Sequence, residues 1–364
     1  MYRFELTDRY LSRSEQDRFR DYLDFCSLDR NIWEVFASLF ASSTSHTTPL
    51  VLRAYAGGDL VGAAIVIRCT RYGRALFDYG LLSRLIDFVR VPFYLWIKFG
   101  CCMDMMSNPG FVSDPAESSE VIKGMAGYLR DNTLLTIIND YTENAGLHDG
   151  ASTLPALPHA LIDTSSMESI EDYLKLHKNI GHKLRVFRRK GGEYTRIDRR
   201  LDGAQIASLE KCFLATTEKS IFYLPYQHLY LKSAMETSRR SIDDVHYFVA
   251  TINGAFVGYQ AAVKTGSNLN ALHGAFDRSL QTTHHAYDVL FVKMTEFALE
   301  HGLKTIDYGA VLNRTKQKMI NKSIDLSYYL TSRHATVQKS FDAFLKRTKV
   351  QGKEQLKYRN ADDP

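Results

Sequence analysis

Hydrophobic and polar positions along the first half of the chain predict two helices, a hairpin, a further helix and a buried strand. Apolar residues recur at three- and four-residue spacing in the helical stretches, which gives each helix one face to bury. In the hairpin, β-branched and apolar residues flank the turn Gly57-Gly58-Asp59. The predicted helices are Gln16–Phe25, Ile32–Phe40 and Ser118–Leu129, and the predicted strands are Leu50–Ala56, Leu60–Ile67 and Leu134–Ile138.

The same kinds of element return in the second half. Ser166 is a candidate cap for a basic helix that stops at Gly191-Gly192. A second hairpin turns at Asn253-Gly254, a residue pair that adopts the positive backbone angles of a two-residue turn. The predicted helices are Ile170–Arg189, Gly203–Thr216, Pro225–Ser238 and Tyr287–Glu300, and the predicted strands are Tyr194–Ile197, Val245–Ile252, Ala255–Lys264, Leu269–Phe276 and Thr305–Tyr308.

Each half therefore combines helices, a glycine-turn hairpin, a later helix and a strand, which indicates a tandem duplication of one α/β fold. Antiparallel strands that feed a helix and another strand predict, in each copy, a mixed and mostly antiparallel sheet flanked by helices. The stretch Gly146–Pro158 is rich in Gly, Pro, Ser and Thr and is the best linker candidate. We expect domains over residues 1–160 and 161–364.

Composition is that of an ordinary globular protein, with 45% hydrophobic and 24% charged residues over 364 positions. The N-terminus carries charges and lacks an apolar core, so we expect no signal peptide and a cytoplasmic location. The most apolar region, Leu81–Met106, is interrupted by charged residues and predicts no transmembrane segment. Its aromatic residues between cations are typical of core, or of an amphipathic surface for a lipid-like acceptor.

The five cysteines are scattered and have no CxxC spacing, which argues against a disulfide framework and a zinc site. We expect reduced thiols and no bound metal. The positive charge, in contrast, is concentrated: residues 173–200 hold ten Lys or Arg against two acidic residues, a net charge of +8. Such a segment predicts a partner that carries phosphate, and the alternative is a solvated helix face.

Three segments of the second half together resemble a known family. They read HYFVATINGAFVGYQAAV, LNALHGAFDRSL and AYDVLFVKMTEFALEHGLKTIDYGAVLNRTK. They are similar to the core of the GNAT-type acyltransferase domain found in Fem-like and cellulose-biosynthesis-associated proteins. The family pattern has a small residue and Asp after a strand, then Asp-aromatic-Gly, then a Lys, and here these positions are Phe276-Asp277, Asp307-Tyr308-Gly309 and Lys316. The upstream segment YLKLHKNIGHKLRVFRRKGGEY resembles the family's basic helix.

The resemblance implies an N-acyltransferase with tandem GNAT-like domains, in which the C-terminal domain binds the donor. The donor would be acyl-CoA, or an aminoacyl-tRNA as in the Fem-type branch, which makes tRNA a further partner. The acceptor would be an amine on a small molecule or on a sugar, peptide or lipid precursor of the cell envelope. The loop Ser279–Ala286 contains no glycine, unlike the usual CoA pyrophosphate loop, and this favours the aminoacyl-tRNA donor.

Acyl transfer to an amine needs a base, a donor to the developing oxyanion and oriented substrates. Lys316 corresponds to the family lysine, and its charge suits an oxyanion or a phosphate. Asp307 ends a predicted buried strand, where it must either pair or act as a base. His273 has a side chain whose ordinary pKa suits base catalysis, and Tyr287 is placed to donate a hydrogen bond at the start of a helix. Each of these residues has an alternative role in packing or in a structural ion pair.

For the donor, the phosphate-binding candidates are polar residues ahead of the helix at Tyr287 and cations on the basic helix. Arg185 and Arg189 are four residues apart and share one face of that helix. The candidate set is Thr283, His284, His285, Lys183, Arg185 and Arg189. A second hypothesis is a catalytically inactive GNAT-like module that uses the basic helix to bind RNA or a nucleotide-linked ligand. The oligomeric state stays open.

Overall fold

The computed structural model describes residues 2–19, 30–44, 47–70, 93–97, 111–112, 117–155, 159–177, 179–218, 227–277, 284–310, 318–339 and 342–343. Helices and strands are numbered in chain order over these residues. The helices are α1 (Arg13–Asp17), α2 (Arg30–Phe40), α3 (Ser118–Asn132), α4 (Ile170–Leu176), α5 (Ile180–Arg189), α6 (Gly203–Glu218), α7 (Gln227–Arg239) and α8 (Ala286–Glu300).

The strands of the first half are β1 (Tyr2–Thr7), β2 (Thr47–Ala56), β3 (Asp59–Cys69), β4 (Phe93–Ile97), β5 (Phe111–Val112), β6 (Thr136–Tyr141) and β7 (Ser152–Pro155). From residue 159 onwards the strands are β8 (His159–Asp163), β9 (Gly192–Asp198), β10 (Val245–Ile252), β11 (Ala255–Thr265), β12 (Asn268–Phe276), β13 (Thr305–Ala310), β14 (Lys322–Ile324) and β15 (Leu326–Thr331). A 3₁₀ segment, Thr142–Leu147, follows β6.

Two sheets with the same internal order make up the architecture. The first has the order β1-β2-β3-β4-β6-β15-β7, with β5 on β3, and the second has the order β9-β10-β11-β12-β13-β8-β14. In each sheet one neighbouring pair is parallel, β4 with β6 and β12 with β13, and the others are antiparallel. The prediction of two mixed, mostly antiparallel sheets flanked by helices is confirmed.

The sheets exchange one strand each. β15 follows the second sheet in the chain but lies between β6 and β7 of the first, while β8 follows β7 but lies between β13 and β14 of the second. Each inserted strand makes antiparallel ladders on both sides. The boundary at residue 160 stays a prediction, and the first sheet takes a strand from beyond it.

Both hairpins form as predicted and share an irregularity that supports the duplication. In the first, Ala54 pairs with Gly62 and Tyr55 with Leu60, so Val61 is an extra residue. In the second, Ala250 pairs with Gly258 and Thr251 with Phe256, so Val257 is extra at the same distance from the turn. Both sites are β-bulges within the motif apolar-Val-Gly, and a bulge kept at one register in both copies is a shared structural feature.

The predicted basic helix Ile170–Arg189 is wrong as one element, because the structure divides it into α4 and α5. Its cap is Ser169 rather than Ser166, since the Asp172 carboxylate accepts from the Ser169 N–H at 3.2 Å. His177 then leaves the helical region at φ −126° and ψ 75°. Local periodicity does not show this break.

Two further predictions differ from the structure in their extent. The linker predicted over Gly146–Pro158 contains β7, which forms because β15 arrives from a distant part of the chain to pair with it. Within Leu81–Met106 the described residues are the strand β4, and the rest of that region lies outside the described residues. The same holds for most of the helix predicted over Gln16–Phe25, since residues 20–29 are not described.

Helices α2 and α7 join the two halves. They pack against each other, and Arg240, just after α7, forms an ion pair with Glu34 of α2 at 3.5 Å. One cluster of buried apolar side chains continues from α2 and the first sheet into the second sheet and α8. A separate cluster lies beneath α3, on the face of the first sheet that α3 covers. The two halves therefore share a core, in addition to the exchanged strands.

Gly258 approaches β12 closely, and we expect Gly258→Ala to lower the free energy of unfolding by about 1–3 kcal/mol. A Cβ at this position would lie 2.3 Å from Cδ1 of Phe276, so the ring must move. Gly203→Ala is the matched control, because a Cβ there meets nothing within 4 Å. Chemical denaturation of both variants measures the difference, and equal stabilities would contradict the close approach.

Candidate functional site

β12 and β13 of the second sheet stop pairing after three residues, and the stretch over which they no longer pair is called the opening. The two strands pair in parallel only from Asn268 to Asn270 on one side and from Thr305 to Asp307 on the other. β12 continues to Phe276 and β13 to Ala310 without further pairing between them in the described residues. Backbone N–H and C=O groups that leave a ladder need other partners, so this edge is suited to hydrogen-bonding a bound ligand.

A bulge in β12 lies beside this opening. Ala261 of β11 pairs with His273, and Ala262 pairs with Ala271, which leaves Leu272 as an extra residue on β12. A bulge bends its strand and redirects the side chains and amides on either side of it. The strand is therefore bent where it separates from β13.

Asp307 fixes the point where β13 leaves the parallel ladder. Its side chain is buried, at 6% exposure, and its Oδ1 accepts a hydrogen bond from the Gly309 N–H at 2.7 Å. Gly309 has a φ of +67°, a left-handed conformation that glycine adopts most readily. The register of β13 with β8 shifts between Asp307 and Ala310. The carboxylate thus stabilises a turn of the backbone at the apex of the opening, which is the point where β12 and β13 stop pairing.

The beginning of α8 carries a buried carboxylate that the sequence analysis missed. Asp288, in the first turn, is 4% exposed and accepts from Lys183 Nζ of α5 at 2.5 Å. His285 Nδ1 lies 3.6 Å from the other carboxylate oxygen. Burial lowers the pKa of His285, and the Asp288 carboxylate opposes that shift. A negative side chain therefore already complements the positive end of the helix dipole.

Aromatic rings fill the space between α8 and the two separating strands. Tyr287 packs against Phe276 at 4.8 Å and against Phe291 at 4.9 Å between ring centroids. Tyr308 stacks on Phe291 at 3.9 Å with an interplanar angle of 11°. Burial raises the pKa of Tyr308, and the nearby Tyr173 and Tyr287 raise it further, so its phenol stays protonated at neutral pH.

His273 lies on the opposite face of the sheet. Its Nδ1 is 3.1 Å from the hydroxyl of Tyr259, and its ring also faces Tyr247. Helix α6 packs on the strands that carry His273 and Tyr259, whereas Phe276 points towards α8. Burial lowers the pKa of His273 to about 3. The imidazole is therefore neutral at physiological pH, and this low basicity argues against the role of general base that its ordinary pKa suggested.

The remaining candidates divide into three groups. Arg185 and Arg189 are exposed on α5, while Lys183 on the same helix is bound to Asp288. His284 is half-buried immediately before α8. Thr283 and Lys316 lie outside the described residues. The structure thus brings Lys183, His285 and Tyr287 to one end of α8 and Asp307 to the apex of the opening, and the roles of all these residues stay predictions.

Residues that sequence reasoning missed include Asp288, Tyr173 and Phe291. Asp288 follows His285 by three residues at a helix start, a spacing that could have indicated their contact. Tyr173 is fully buried and donates from its hydroxyl to the Met319 carbonyl at 2.8 Å, a contact between distant segments that no local pattern reveals. The His177 side chain also hydrogen-bonds the backbone of Lys318. Both contacts hold the chain that returns after β13 against α4.

A family model supports this description of the second half. Residues 175–317 match the acetyltransferase (GNAT) domain, a range that includes the opening and α8. The C-terminal half contains a GNAT domain. This confirms the resemblance identified from the sequence. Comparison with curated protein sequences gives no significant match.

Solved structures extend the similarity of fold from the GNAT domain to nearly the whole chain. The C-terminal domain of a putative lysylphosphatidylglycerol synthetase from Agrobacterium fabrum has a TM-score of 0.52 at 12% identity, covering 92% of this chain and 97% of that one. A tandem GNAT protein from the clavulanic acid biosynthesis pathway gives 0.52 at 11%, with 91% and 99% covered. FemX gives 0.51 at 12%, with 90% and 97% covered. These similarities show that the fold of this chain, over both of its halves, resembles that of these three proteins.

The described residues contain neither a candidate membrane-spanning helix nor a cluster of metal-ligand side chains. In the part of the chain that the structure describes, no helix combines the length and hydropathy needed to cross a bilayer. The same residues contain no group of three or more His, Cys, Asp or Glu side chains placed to hold a metal ion. Cys69 and Cys212 are buried, reduced thiols.

His273 makes the stability of the GNAT domain depend on pH. Between pH 6.5 and about 3, the unfolded chain binds a proton that the folded imidazole excludes. The stability is fully present above pH 6.5 and falls as the pH drops through this window, by up to about 1.4 kcal/mol per pH unit. We expect His273→Gln to remove that part of the slope. Urea denaturation across the window measures it, and an unchanged slope would show that another group is responsible.

Proposed function

We propose that this protein is an N-acyltransferase that moves an acyl or aminoacyl group to an amine. The observation that carries the proposal is the separation of β12 and β13 beside α8, within a domain that matches the GNAT family model. A donor chain that enters between the strands can take the place of the missing ladder partners. The amine of the acceptor then attacks the acyl carbon from the neighbouring cleft.

The transfer forms a bond between the amine nitrogen and the acyl carbon and breaks the ester or thioester bond of the donor. The amine must lose a proton, and the carbonyl oxygen carries negative charge in the tetrahedral intermediate. Tyr287 and Asp307 are the described candidates nearest the opening for hydrogen bonding and proton transfer. Lys316 remains the candidate for stabilising negative charge. His273 is neutral, buried and on the face covered by α6, so it is poorly placed to remove that proton.

The charges at the start of α8 favour an aminoacyl-tRNA over acyl-CoA as the donor. A pyrophosphate bound at a helix N-terminus interacts with free N–H groups and the helix dipole. Here the buried Asp288 carboxylate already lies at the positive end of the α8 dipole. It also forms an ion pair with Lys183, one of the cations predicted to bind phosphate. The exposed Arg185 and Arg189 remain able to contact the phosphates of a larger nucleic acid.

The acceptor class is supported by the same comparison of folds. The names of two similar structures, FemX and the putative lysylphosphatidylglycerol synthetase, support a precursor or lipid of the cell envelope as the molecule that carries the acceptor group. Aminoacyl-tRNA and acyl-CoA are both made in the cytoplasm, so the proposal places the reaction there.

A transfer assay tests the proposal directly. The full chain is incubated with labelled aminoacyl-tRNA or with labelled acyl-CoA, together with a panel of amine acceptors, and label in the amide product is measured. We expect product from aminoacyl-tRNA. Product from acyl-CoA and none from aminoacyl-tRNA would contradict this and would mean that the CoA pyrophosphate binds elsewhere in the domain than at the start of α8. Thermal-shift titration accompanies the assay, since a saturating ligand at about 100 times its Kd stabilises the fold by about 2.7 kcal/mol. Binding of tRNA without any transfer would instead favour the inactive binding module.

Lys316→Ala should reduce kcat/KM for transfer by at least about tenfold with little loss of stability. The reason is that a positive side chain beside a developing oxyanion acts mainly in the transition state. Lys318→Ala is the matched control, because that side chain is exposed and two residues away. Near-normal turnover of Lys316→Ala in the same assay would remove this lysine from the site.

A further inference from the structure

The first turn of α8 has backbone N–H groups without a side-chain cap. The residue before the helix, His285, has a left-handed backbone with a φ of 59°, and among the described residues its side chain makes no capping hydrogen bond. The N–H groups of the first turn and the helix dipole give this end of a 15-residue helix a partial positive charge. Such an end attracts an anion, which a ligand or the protein itself can supply.

Helix α5 brings further positive charge to the same place. Lys183 Nζ contacts Asp288 Oδ1 at 2.5 Å. Burial lowers the pKa of His285, the Asp288 carboxylate opposes that shift, and three basic side chains of the α5 segment lower the pKa further. These side chains belong to Lys183, His182 and Lys190. The start of α8 is therefore a place where positive charge from two helices meets.

Asp288 is the acidic residue of the first turn of α8. Its side chain is 6% exposed, whereas the side chain of Lys183 is 24% exposed. It follows Ala286, the first helical residue, by two positions, or about 3 Å along the helix axis. The carboxylate is thus almost completely covered by protein, and it influences a ligand at the helix start through its charge rather than by contact.

We propose that Asp288 determines the donor specificity of this domain by excluding donors that place a pyrophosphate at the start of α8. The carboxylate is an anion supplied by the protein: it neutralises Lys183 and complements the helix dipole, and it repels a ligand phosphate. Two unit charges about 6 Å apart, at an effective dielectric constant of about 20, change a binding equilibrium by roughly 100-fold. The inference rests on the proposed acyl transfer, because it concerns the donor of that reaction, but the binding that it predicts is measured without transfer.

Neutralising the carboxylate should create an anion site where the protein now supplies its own anion. Asp288→Asn keeps the shape of the side chain and removes its charge, so Lys183 and the start of α8 are left uncompensated. Isothermal titration calorimetry on the full chain, at one ionic strength, measures the binding of inorganic pyrophosphate and of acetyl-CoA. We expect Asp288→Asn to bind both with a Kd on the order of 1 mM or tighter, and at least about tenfold more tightly than the unsubstituted protein.

Two further variants separate this local effect from a general change of net charge. Glu300→Gln is the matched control, because it removes one negative charge from an exposed side chain at the other end of the same helix. It should bind pyrophosphate no better than the unsubstituted protein. Combining Lys183→Met with Asp288→Asn removes the cation as well and should abolish the gain in affinity. An equal gain in Glu300→Gln, or a gain that persists without Lys183, would contradict the proposal.

The unsubstituted protein gives a measurement that does not depend on the folding of a variant: saturation by pyrophosphate below about 1 mM overturns the proposal. Circular dichroism checks the fold of Asp288→Asn, and Asp288→Ser, with a smaller side chain, repeats the test. Folded variants that gain no affinity also overturn the proposal.

The transfer assay distinguishes this failure from that of the proposed function. If the unsubstituted protein transfers from aminoacyl-tRNA but Asp288→Asn gains no affinity for pyrophosphate, the role of Asp288 is wrong and the acyl transfer stands. If the affinity rises as expected but no donor supports transfer, the proposed function is wrong, and Asp288 controls anion binding alone.

Discussion

The inner positions of both sheets are filled by strands that cross between the halves. β15 pairs with β6 and β7, and β8 pairs with β13 and β14, so neither sheet is complete from one continuous copy of the repeat. An open strand edge would expose a row of N–H and C=O groups, and the exchange removes that exposure on both sheets at once. The contact of α2 with α7 and the common hydrophobic cluster fix the two sheets further. The pairing of β15 and β8 therefore fixes the position of one half relative to the other.

The two copies of the repeat use the same elements for different purposes. In the second, the parallel pair β12 and β13 separates beyond Asn270 and Asp307, and aromatic side chains from α8 fill the adjoining space. In the first, the helix equivalent to α8 is α3, and its small central residues leave a cavity beside β15. The two copies of the framework therefore differ in the space that they leave beside the sheet.

Much of the fold could be predicted from local pattern. The turn residues Gly57-Gly58 and Asn253-Gly254 all have positive φ, as the sequence chemistry requires, and the hairpins around them were located within a few residues. The exchange of β8 and β15 could not be found this way, because strand partners far apart in the chain leave no trace in periodicity. The break between α4 and α5 was also missed, because periodicity alone does not show that His177 leaves the helical region.

The site was accessible to sequence reasoning only in part. Motif similarity located Asp307 and the start of α8, but it could not show that Asp288 is buried and neutralises Lys183. It also treated His273 as an ordinary histidine, whereas the strands and α6 surround it and suppress its protonation. Pairing and burial decide the chemistry of such groups, and both arise from residues more than ten positions away.

The position of β15 has a consequence for synthesis on the ribosome. Residues 326–331 are made nearly two hundred positions after β6, the strand beside which they must insert. Until they emerge, the first sheet has a gap between β6 and β7, while the whole of the second sheet is already outside. The half of the chain that is made first should therefore complete its folding last. A chain that ends before β15 should be defective in the first sheet, although the missing residues lie near the C-terminus.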